Sequence, residues 1–403
     1  MINHSASLST NSGEVGTVFA VTGSGTWSGG TWTLDNDGVL TISGSGEVTT
    51  IPWNNDTYRS SIQSVVIENG VTNIVHDAFY GCSSLSTITM PGSVTSIGAR
   101  AFCLCSNLSA ITIPSSVTSL DGGVFRGCSS LSTITIPSSV TSLGGNVFEG
   151  CSSLSTITIP SSVTSIGENA FAGCGSLSDV SLPGSIESIG INAFSDCASL
   201  QSINVNSNNN YYKSLDGVLF TKDGTELMQY PVGNTRTSYT VPDGVRAIDK
   251  FAFSKCTSLI SVTIPGSVES IDGFAFYQCE NLRTIVFEGE NPPEIGYNTF
   301  FMYYDYDDAD DYAFYSDIDT NNTQILVPEE YIDNYRYDSN WLSSSYVFDD
   351  YTDFCMADFV KVNTPGEPNT GVVADIVLPT MIISTLIGML AYVGFSSKRK
   401  HRV

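Results

Sequence analysis

The chain has 403 residues, of which 41% are hydrophobic, and it carries a formal net charge of -25 with a pI near 4.1. This apolar content is sufficient for a continuous core. Only 16 lysines and arginines stand against 41 acidic residues, and they form no basic stripe, which argues against nucleic acid as a partner because such binding requires clustered positive charge.

The first residues are polar and rich in serine, and we expect a flexible N-terminus over residues 1–14. They contain no charged segment followed by an apolar run of signal-peptide length. Export, which the C-terminal sequence favours, would require such a signal. We therefore expect a misassigned or truncated start.

Residues 15–64 predict an N-terminal β cap. In the sequence WSGGTWTLDNDGVLTISGSGEV, apolar and polar residues alternate, and Asp37-Gly38 is a strong signal for a hairpin turn. A stack of repeats needs such an element because its end would otherwise expose apolar side chains and an unpaired strand edge.

From residue 65 onward, the chain repeats itself every 23 residues. The cysteines of the repeat are Cys82, Cys105, Cys128, Cys151, Cys174 and Cys197, each preceded by a phenylalanine three residues earlier, and the pattern resumes at Phe253/Cys256 and Phe276/Cys279 with Phe300 as a last echo. A unit this short cannot bury its apolar residues alone, so neighbouring copies must stack in a solenoid. We assign the repeats to residues 65–206 and 242–300.

Each copy reads L-x-x-I-x-I-P-x-x-V-x-x-I-x-x-x-x-F-x-x-C. The segment from Leu131 to Ile136 alternates around β-branched residues and stops at Pro137, which has no amide hydrogen for a longer ladder. The pattern predicts a mainly β solenoid with a short parallel strand in every copy and the Val-x-x-Ile half as the opposite wall.

The cysteine column does not fit a zinc site, because zinc ligands cluster within one or two short segments whereas one cysteine recurs per copy here. Adjacent copies lie about 4.8 Å apart, a spacing that a disulfide also fits. We favour a ladder of buried thiols that act as small hydrophobes. Cys103 and Cys355 stand outside the column and are left unassigned.

Three further motifs accompany the period: the opening WTLDNDGVLTISGSG followed by Pro-Trp, the repeat phrases IPSSVTSIG, AF and CSSL, and an insert with DGVLF. Over about residues 25–345 the chain resembles the BspA-like, treponemal-type leucine-rich repeat proteins. The resemblance implies a leucine-rich-repeat fold with caps at both ends. It says little about function, because one fold hosts many tasks.

Cys197 and Cys256 are 59 residues apart, which is one period plus 36 residues. In the extra sequence, two apolar runs flank Lys222-Asp223-Gly224, a pattern that predicts a β-hairpin. The family resemblance implies the same. We assign this insertion to residues 207–241.

Residues 301–362 are assigned to an acidic C-terminal cap. The segment VPEEYIDNYRYDSNW has helix-like spacing of Tyr331, Ile332 and Tyr335 and resembles the capping element of the family. The run YYDYDDADDYAFYSDIDTNN does not fit an EF-hand loop, which needs glycine at its sixth and glutamate at its twelfth position. We expect a solvated acidic loop without a metal.

Residues 376–395 form an uncharged run of 20 residues, long enough to cross a hydrocarbon core of about 30 Å. The basic tail at 396–403 is expected to stay cytoplasmic. We predict a C-terminal transmembrane helix that attaches the protein to the membrane, with the repeats extracellular. A tail anchor inserted after synthesis would instead carry the basic end across the membrane, against this charge bias.

The linker at 363–375 contains Glu367-Pro368-Asn369-Thr370-Gly371. A P-x-T-G motif, an apolar stretch and a basic cluster in that order resemble a Gram-positive cell-wall sorting signal. By that analogy Pro368, Thr370 and Gly371 form a sorting site, a sortase is a partner, and Thr370 becomes joined to the wall. Glu367 stands where the pattern usually has leucine, which leaves open which sortase would act. A retained single-pass anchor is the alternative.

The histidines are few: His4, His76 and His401. None has a serine or cysteine partner by motif, and no G-x-S-x-G, phosphate-cradling loop or H-E-x-x-H occurs. We expect a protein that is not an enzyme and binds no cofactor. Carboxylate pairs for glycoside chemistry would find many candidates in the cap, so a carbohydrate-active protein is one alternative.

The strand of each copy has two outward positions between its buried Leu, Ile and Ile, and these form two columns of small hydrogen-bonding side chains. The candidate binding residues are Thr87, Thr89, Thr112, Thr133, Thr135, Thr156, Thr158, Asp179, Ser181, Ser202, Asn204, Ser261, Thr263 and Thr284. An extended sheet of this kind suits wide contact with a protein or glycan. Alternatively, threonine is simply a favourable exposed strand residue.

We therefore expect a cell-surface adhesion or protein-interaction protein, anchored by a single membrane span or to the wall. The family resemblance implies extracellular partners such as host matrix proteins or other cells. An architectural surface or wall component without a specific ligand is the second hypothesis.

Overall fold

The computed structural model describes residues 21–296, 299, 324–336, 338 and 359–362. These residues form 25 short strands, two 3-10 helices and one five-residue α-helix. In chain order the elements are β1 (Val21–Trp27), β2 (Gly30–Asp35), β3 (Val39–Gly44), a 3-10 helix (Arg59–Ser61), β4 (Ser64–Ile67), β5 (Asn73–Ile74), β6 (Thr87–Thr89), β7 (Ser96–Ile97), β8 (Ala110–Thr112), β9 (Thr133–Thr135), β10 (Ser142–Leu143), β11 (Ser165–Ile166), β12 (Asp179–Leu182), β13 (Ser188–Ile189), β14 (Ser202–Val205), β15 (Tyr212–Leu215), β16 (Val218–Thr221), β17 (Glu226–Gln229), β18 (Ser238–Thr240), β19 (Ala247–Ile248), β20 (Ser261–Ile264), β21 (Ser270–Ile271), β22 (Thr284–Phe287), β23 (Glu294–Ile295), β24 (Gln324–Pro328), a 3-10 helix (Glu329–Tyr331), α1 (Ile332–Arg336) and β25 (Phe359–Val362).

The N-terminal segment closes the end of the solenoid. Strands β1, β2 and β3 form an antiparallel meander, and the Asp37-Gly38 turn joins β2 to β3. Strand β3 then pairs in parallel with β4, so the direction of pairing changes at this point. Trp53 is buried, donates its indole Nε1 hydrogen to the Ala78 carbonyl at 3.0 Å, and stacks on Phe79. The cap thus offers the first repeat both a strand and an aromatic ring.

Each repeat contributes to two walls. The predicted Ile-x-Ile strands form the first wall, with Ala110 opposite Thr133 one period later. The Val-x-x-Ile half forms a second wall of two-residue parallel strands, such as Ser142 opposite Ser165. In the copy at residues 154–159, first-wall pairing is reduced to one bridge between Thr135 and Thr158. The mainly β solenoid of parallel strands that the sequence predicted is confirmed.

The phenylalanine column forms the spine of the core. From Phe79 to Phe194, successive ring centroids lie 5.4 to 5.7 Å apart, and the rings are within 19° of parallel. Buried Leu, Ile and Val side chains from both walls surround this stack. Aromatic pairs in offset stacks add about 0.5–1.5 kcal/mol beyond their area burial, so each ring stabilises two neighbours.

Serine and threonine hydroxyls explain why the repeat phrases contain CSSL and SSVTS. Ser162 Oγ donates to the Val140 carbonyl at 2.7 Å, and Ser152 Oγ donates to the Ser129 carbonyl at 3.3 Å. Ser162 Oγ thus bonds a carbonyl just before the short second-wall strand of the previous copy, whereas Ser152 Oγ adds a second bond to a carbonyl that also accepts from the Ser153 amide at 3.2 Å. Both hydroxyls therefore serve the stack itself.

The insertion builds a three-stranded unit. Strands β15 and β16 are antiparallel, and β16 and β17 are antiparallel around the predicted Lys222-Asp223-Gly224 turn. Strand β17 then pairs in parallel with β19 and so re-enters the second wall. Tyr230 takes the place of a phenylalanine, with its ring 5.3 Å from that of Phe253.

At the C-terminal end, β24 extends the first wall and pairs in parallel with both β22 and β25. The helix-like spacing corresponds to the 3-10 helix Glu329–Tyr331 followed by α1. Tyr335 on α1 is buried, and its hydroxyl donates to the carbonyls of Gly289 and Asn291 at 3.0 and 3.2 Å. This side chain fastens the helix to the last repeat.

Several predictions fall on residues outside the described ranges. They concern the flexible start at 1–14, Phe300, the acidic run at 301–323, Cys355, the linker with Pro368, Thr370 and Gly371, the apolar run at 376–395 and the basic tail. Among the residues that the structure does describe, no helix is long and apolar enough to span a bilayer.

Candidate interaction surface

The first wall presents an outward face of hydroxyl groups. In β6, Ile88 is buried between the exposed side chains of Thr87 and Thr89, and β8 and β9 repeat this alternation. The pleat of a strand sends alternate side chains to opposite sides, so the buried isoleucines fix the orientation of the threonines. We call the outward side chains from β1 to β14 on this wall the threonine face.

The structure separates the predicted residues into two groups. Exposed members of the threonine face are Thr87, Thr89, Thr112, Thr133, Thr135, Thr156, Thr158, Asp179, Ser181 and Asn204. Half-buried positions are Ser202, Ser261, Thr263 and Thr284. Ser202 is covered because Gly217 of the hairpin lies against it and accepts a hydrogen bond from the Ile203 amide at 2.8 Å. The hairpin therefore ends the threonine face.

The residues beyond the hairpin belong to a different sheet. Ser261, Thr263 and Thr284 lie on β20 and β22, in the sheet ordered β18-β20-β22-β24-β25, whereas β14 pairs with β12. The first-wall strands before the hairpin also fall into three sheets, β1-β2-β3-β4-β6, β8-β9 and β12-β14. The hairpin, however, lies between β14 and β18 in the chain and covers Ser202, so the columns on its two sides do not form one uninterrupted surface. We restrict the candidate surface to the part before the hairpin.

The surface also extends further towards the N-terminus than the repeat pattern indicated. Thr33 on β2 faces Thr41 on β3, Thr41 faces Val66 on β4, and Val66 faces Thr89 on β6. Thr31 and Thr33 are exposed, while Trp32 between them is buried. The alternation in the WTLDN phrase could have revealed these residues, but they lie before the 23-residue period begins.

Charge is scarce on the threonine face. Among its predicted members Asp179 alone is charged, and its carboxylate accepts a hydrogen bond from the Ser202 hydroxyl at 2.7 Å. Asn204 Nδ2 in turn donates to Ser202 Oγ at 2.8 Å. Asp179, Ser202 and Asn204, at the end of the threonine face next to the hairpin, are therefore held in place by one another. The threonines nearer the cap present separate hydroxyls.

Ion pairs lie at the turns of the solenoid. Arg100 approaches Asp77 to 2.7 Å and Arg126 approaches Glu149 to 2.9 Å, each across one period. Surface pairs of this kind contribute about 0–1 kcal/mol. They join neighbouring copies weakly and lie away from the threonine face.

The cysteine column is a ladder of buried thiols, as expected. From Cys105 to Cys197, and again at Cys279, each thiol of the column donates to the carbonyl of the phenylalanine one copy back, as Cys151 Sγ does to the Phe125 carbonyl at 3.2 Å. Burial raises the pKa of Cys82, Cys128 and Cys197 to about 12, so they are protonated at neutral pH. Nucleophiles and zinc ligands are thiolates, which these residues are not. No disulfide joins the nine cysteines within the described ranges.

Carboxylates gather beside the second wall after the hairpin. Burial, together with the negative charges of Asp249, Asp272 and Asp223, raises the pKa of Glu226. Burial and Asp272 likewise raise the pKa of Asp249, although a hydrogen bond from the Lys250 amide opposes the shift. In the part of the chain that is described, no three His, Cys, Asp or Glu side chains are grouped to hold a metal ion.

Comparison with known proteins decides the family. The model for the BspA type leucine rich repeat region matches residues 50–175, 122–216 and 233–346 in six copies. The chain belongs to the BspA-type leucine-rich repeat family. A search of curated proteins found no match.

Solved structures of bacterial leucine-rich repeat proteins resemble this BspA-type chain. A leucine rich cell surface protein from Faecalibacterium prausnitzii is 30% identical, with 76% of this chain and 89% of that chain covered and a TM-score of 0.59. A leucine-rich repeat protein from Eubacterium ventriosum is 26% identical over 67% and 74% of the two chains, with a TM-score of 0.46. The first alignment includes most of both chains and supports a shared architecture.

Proposed function

We propose that this protein is a non-enzymatic interaction protein displayed on the cell surface, and that the threonine face is its binding surface. The partner would be an extracellular protein or glycan, such as a host matrix component or the surface of another cell. The observation that carries the proposal is the alternation of buried apolar side chains with outward, mostly exposed and small polar side chains from β2 to β14, in which β6, β8 and β9 place exposed threonine beside buried isoleucine. The cell-surface designation of the Faecalibacterium protein supports the location.

The chemistry of this surface suits a broad, neutral contact. Threonine hydroxyls both donate and accept hydrogen bonds, and their methyl groups add apolar contact. Their χ1 rotation is restricted by β-branching, so little side-chain entropy is lost when they are immobilised. A large surface of preoriented groups that are weak individually gives affinity through area, which solenoids use for extended partners.

Attachment to the cell would come from the C-terminal residues. The apolar run at 376–395 would span the membrane, and a sortase would cleave between Thr370 and Gly371 after recognising Pro368. Mass spectrometry of protein released from the wall tests this arrangement. A C-terminal peptide that ends at Thr370 is expected, whereas a C-terminus beyond Gly371 would leave only the membrane span as anchor.

Binding is tested with the purified full-length chain on arrays of matrix proteins and glycans. The test variant is Thr112→Lys with Thr135→Lys, which places two charges in the middle of the threonine face. The control is Thr141→Lys with Thr164→Lys, since both threonines are exposed and precede second-wall strands in adjacent copies. Saturable binding is expected for the native chain and the control and is expected to fall at least about tenfold for the test variant, because each charge loses its solvation in a neutral contact.

The outcomes separate the hypotheses. Absence of saturable binding to every array component would favour an architectural role. Equal loss in both double variants would show that the threonine face is not the binding surface. Hydrolysis of a polysaccharide that one carboxylate substitution abolishes would instead revive the carbohydrate-active alternative.

A further inference from the structure

Strand β16 differs from the repeat strands because it is buried on both sides. Val218, Leu219 and Phe220 are each at most 1% exposed. Leu219 belongs to the core of the N-terminal copies, while Val218 and Phe220 belong to a second core shared with the later copies. The hairpin therefore separates two hydrophobic cores.

Towards the C-terminus the hairpin continues the solenoid. Strand β17 pairs with β19 in the register of the second wall. The Tyr230 amide donates to the Ala252 carbonyl at 2.8 Å, and the Tyr230 ring stacks on Phe253, which in turn stacks on Phe276 at 5.0 Å. The hairpin is thus the first rung of the C-terminal stack.

Towards the N-terminus the repeating contacts stop. Phenylalanine amides donate to the next copy in an unbroken series that ends with Phe171 to Ala193 and resumes only at Tyr230. The ring stack likewise ends at Phe194. Within the described residues, no ring contact joins Phe194 to Tyr230.

The thiol ladder has a gap here as well, because the copy of Tyr230 has Gly233 at the position of the cysteine. Cys197 Sγ donates to the Phe171 carbonyl at 3.1 Å, and Cys279 Sγ donates to the Phe253 carbonyl at 3.0 Å. Cys256 lies between them in the series and instead approaches the Ser254 carbonyl of its own copy at 3.8 Å. The ring stack, the amide series of the phenylalanines and the thiol ladder are thus all interrupted between Phe194 and Tyr230.

Polar contacts replace them. The Ile189 amide donates to the Tyr212 hydroxyl and the Val205 amide to the Ser214 hydroxyl, both at 3.1 Å. Lys255 pairs with Asp196 across the insertion at 2.7 Å, with both side chains more than a third exposed. An exposed pair of this kind contributes about 0–1 kcal/mol. Two backbone hydrogen bonds also cross here, from the Ile203 amide to the Gly217 carbonyl and from the Gly233 amide to the Leu200 carbonyl, both at 2.8 Å. The hairpin packs Leu219, Tyr212 and Met228 against the N-terminal core. The boundary is therefore held by individual contacts of these kinds in place of the continuous ring stack and thiol ladder.

We propose that the solenoid consists of two cooperative units that meet between β14 and the hairpin and unfold separately. The first contains the cap and the copies up to β14, and the second contains the hairpin and the later copies. In a solenoid, cooperativity passes only between neighbours. Where the coupling between two neighbours is weak, the parts on either side open independently.

Tryptophan placement allows a direct test in the full chain. Trp27, Trp32 and Trp53 lie in the cap, so the variant Trp341→Phe leaves tryptophan fluorescence as a probe of the first unit alone. Hydrogen exchange measured by mass spectrometry on peptides within 245–290 reports on the second unit. Urea unfolding is expected to give different midpoints for the two probes.

Substitutions on the two sides of β16 identify the boundary. Leu219→Ala is expected to lower the midpoint of the first unit only, by several degrees in thermal unfolding, since a buried methyl cluster is lost. Val218→Ala, its neighbour on the same strand, is expected to lower only the midpoint of the second unit. Leu219→Val provides a milder variant if Leu219→Ala does not fold.

A single coincident transition for both probes, shifted equally by both substitutions, would overturn the proposal. Two transitions that both move with Leu219→Ala would equally contradict it, because the strand would then couple the units.

Discussion

The copies before and after the hairpin have different residues at the same left-handed backbone position of the turn that follows the second-wall strand. A left-handed position three residues after the second-wall strand recurs on both sides of the hairpin. Before the hairpin it is filled by Asp77, Arg100, Gly123, Asn146, Asn169 and Asn192, and after it by Phe251 and Phe274. Asparagine tolerates this conformation, whereas a bulky side chain at φ near +61° is strained. The two phenylalanine rings stack at 5.0 Å, which offsets part of that cost.

This contrast teaches that regular sequence and regular packing go together. The copies beginning at Cys128 and Cys151 differ at only four positions, and their rings, thiols and hydroxyls make the same contacts from copy to copy. After the hairpin, Tyr230, Cys256 and the two strained phenylalanines each depart from the pattern. The C-terminal copies therefore have more local conflicts between residue and environment.

The largest loss of stability is expected from removing a phenylalanine ring from the copies before the hairpin. Phe148→Ala deletes a fully buried ring that stacks on Phe125 and Phe171 at 5.6 and 5.5 Å. We expect the free energy of unfolding to fall by about 3–5 kcal/mol, because a cavity remains between two rigid neighbours. Urea unfolding followed by tryptophan fluorescence measures it. A loss below about 1 kcal/mol would show that the regular copies can collapse around the gap.

An increase in stability of intermediate size is expected at Tyr230, where the C-terminal copies begin. The Tyr230 hydroxyl is buried without a hydrogen-bond partner, which costs about 1–3 kcal/mol. Tyr230→Phe removes this hydroxyl and restores the residue of the column, so thermal unfolding should shift upwards. Tyr335→Phe is the matched control: its hydroxyl donates to two carbonyls, and its removal should lower stability. A drop in both variants would contradict the assignment.

Backbone conformation distinguishes two glycines of the regular part. Gly150 has a φ of +72°, and a Cβ there would meet its nearest atom at an ordinary 3.6 Å. Gly150→Ala should therefore lose about 1–2 kcal/mol from conformation alone. Gly175 has open space around it and no left-handed φ, so Gly175→Ala should be neutral or slightly stabilising. Calorimetry of both variants compares them, and equal midpoints would refute the conformational explanation.

The smallest effect concerns pH and the carboxylates beside the second wall. The pKa of Asp249 is raised in the folded state by burial and by Asp272, so folding takes up a proton at this site. Its contribution to stability then falls as the pH rises from the unfolded value near 4 through the raised folded value. Asp249→Asn should raise the unfolding midpoint at neutral pH and flatten its dependence on pH in that window. The exposed Asp243→Asn serves as control and should leave the pH profile unchanged.

The repeat period was sufficient to predict the solenoid, its buried phenylalanines and its thiol ladder, because each copy must bury the same residues in the same way. It was not sufficient to predict where the outward face ends. Ser202 is half-buried because Gly217 packs against it, a contact between residues that no period relates. The burial of β16 on both sides could not be predicted for the same reason. Val218, Leu219 and Phe220 form a continuous apolar run, and the sequence does not show that Leu219 packs in one core while Val218 and Phe220 pack in the other.

Near-identity of the copies beginning at Cys128 and Cys151 has a genetic consequence. Each copy contacts its neighbour through the same set of rings, thiols and hydroxyls. One whole copy can therefore be duplicated or deleted, because the copies on either side of the change still present matching surfaces to each other. Recombination between the matching coding segments would lengthen or shorten the threonine face in whole steps. The length of the solenoid can thus evolve without any change to the elements at its two ends.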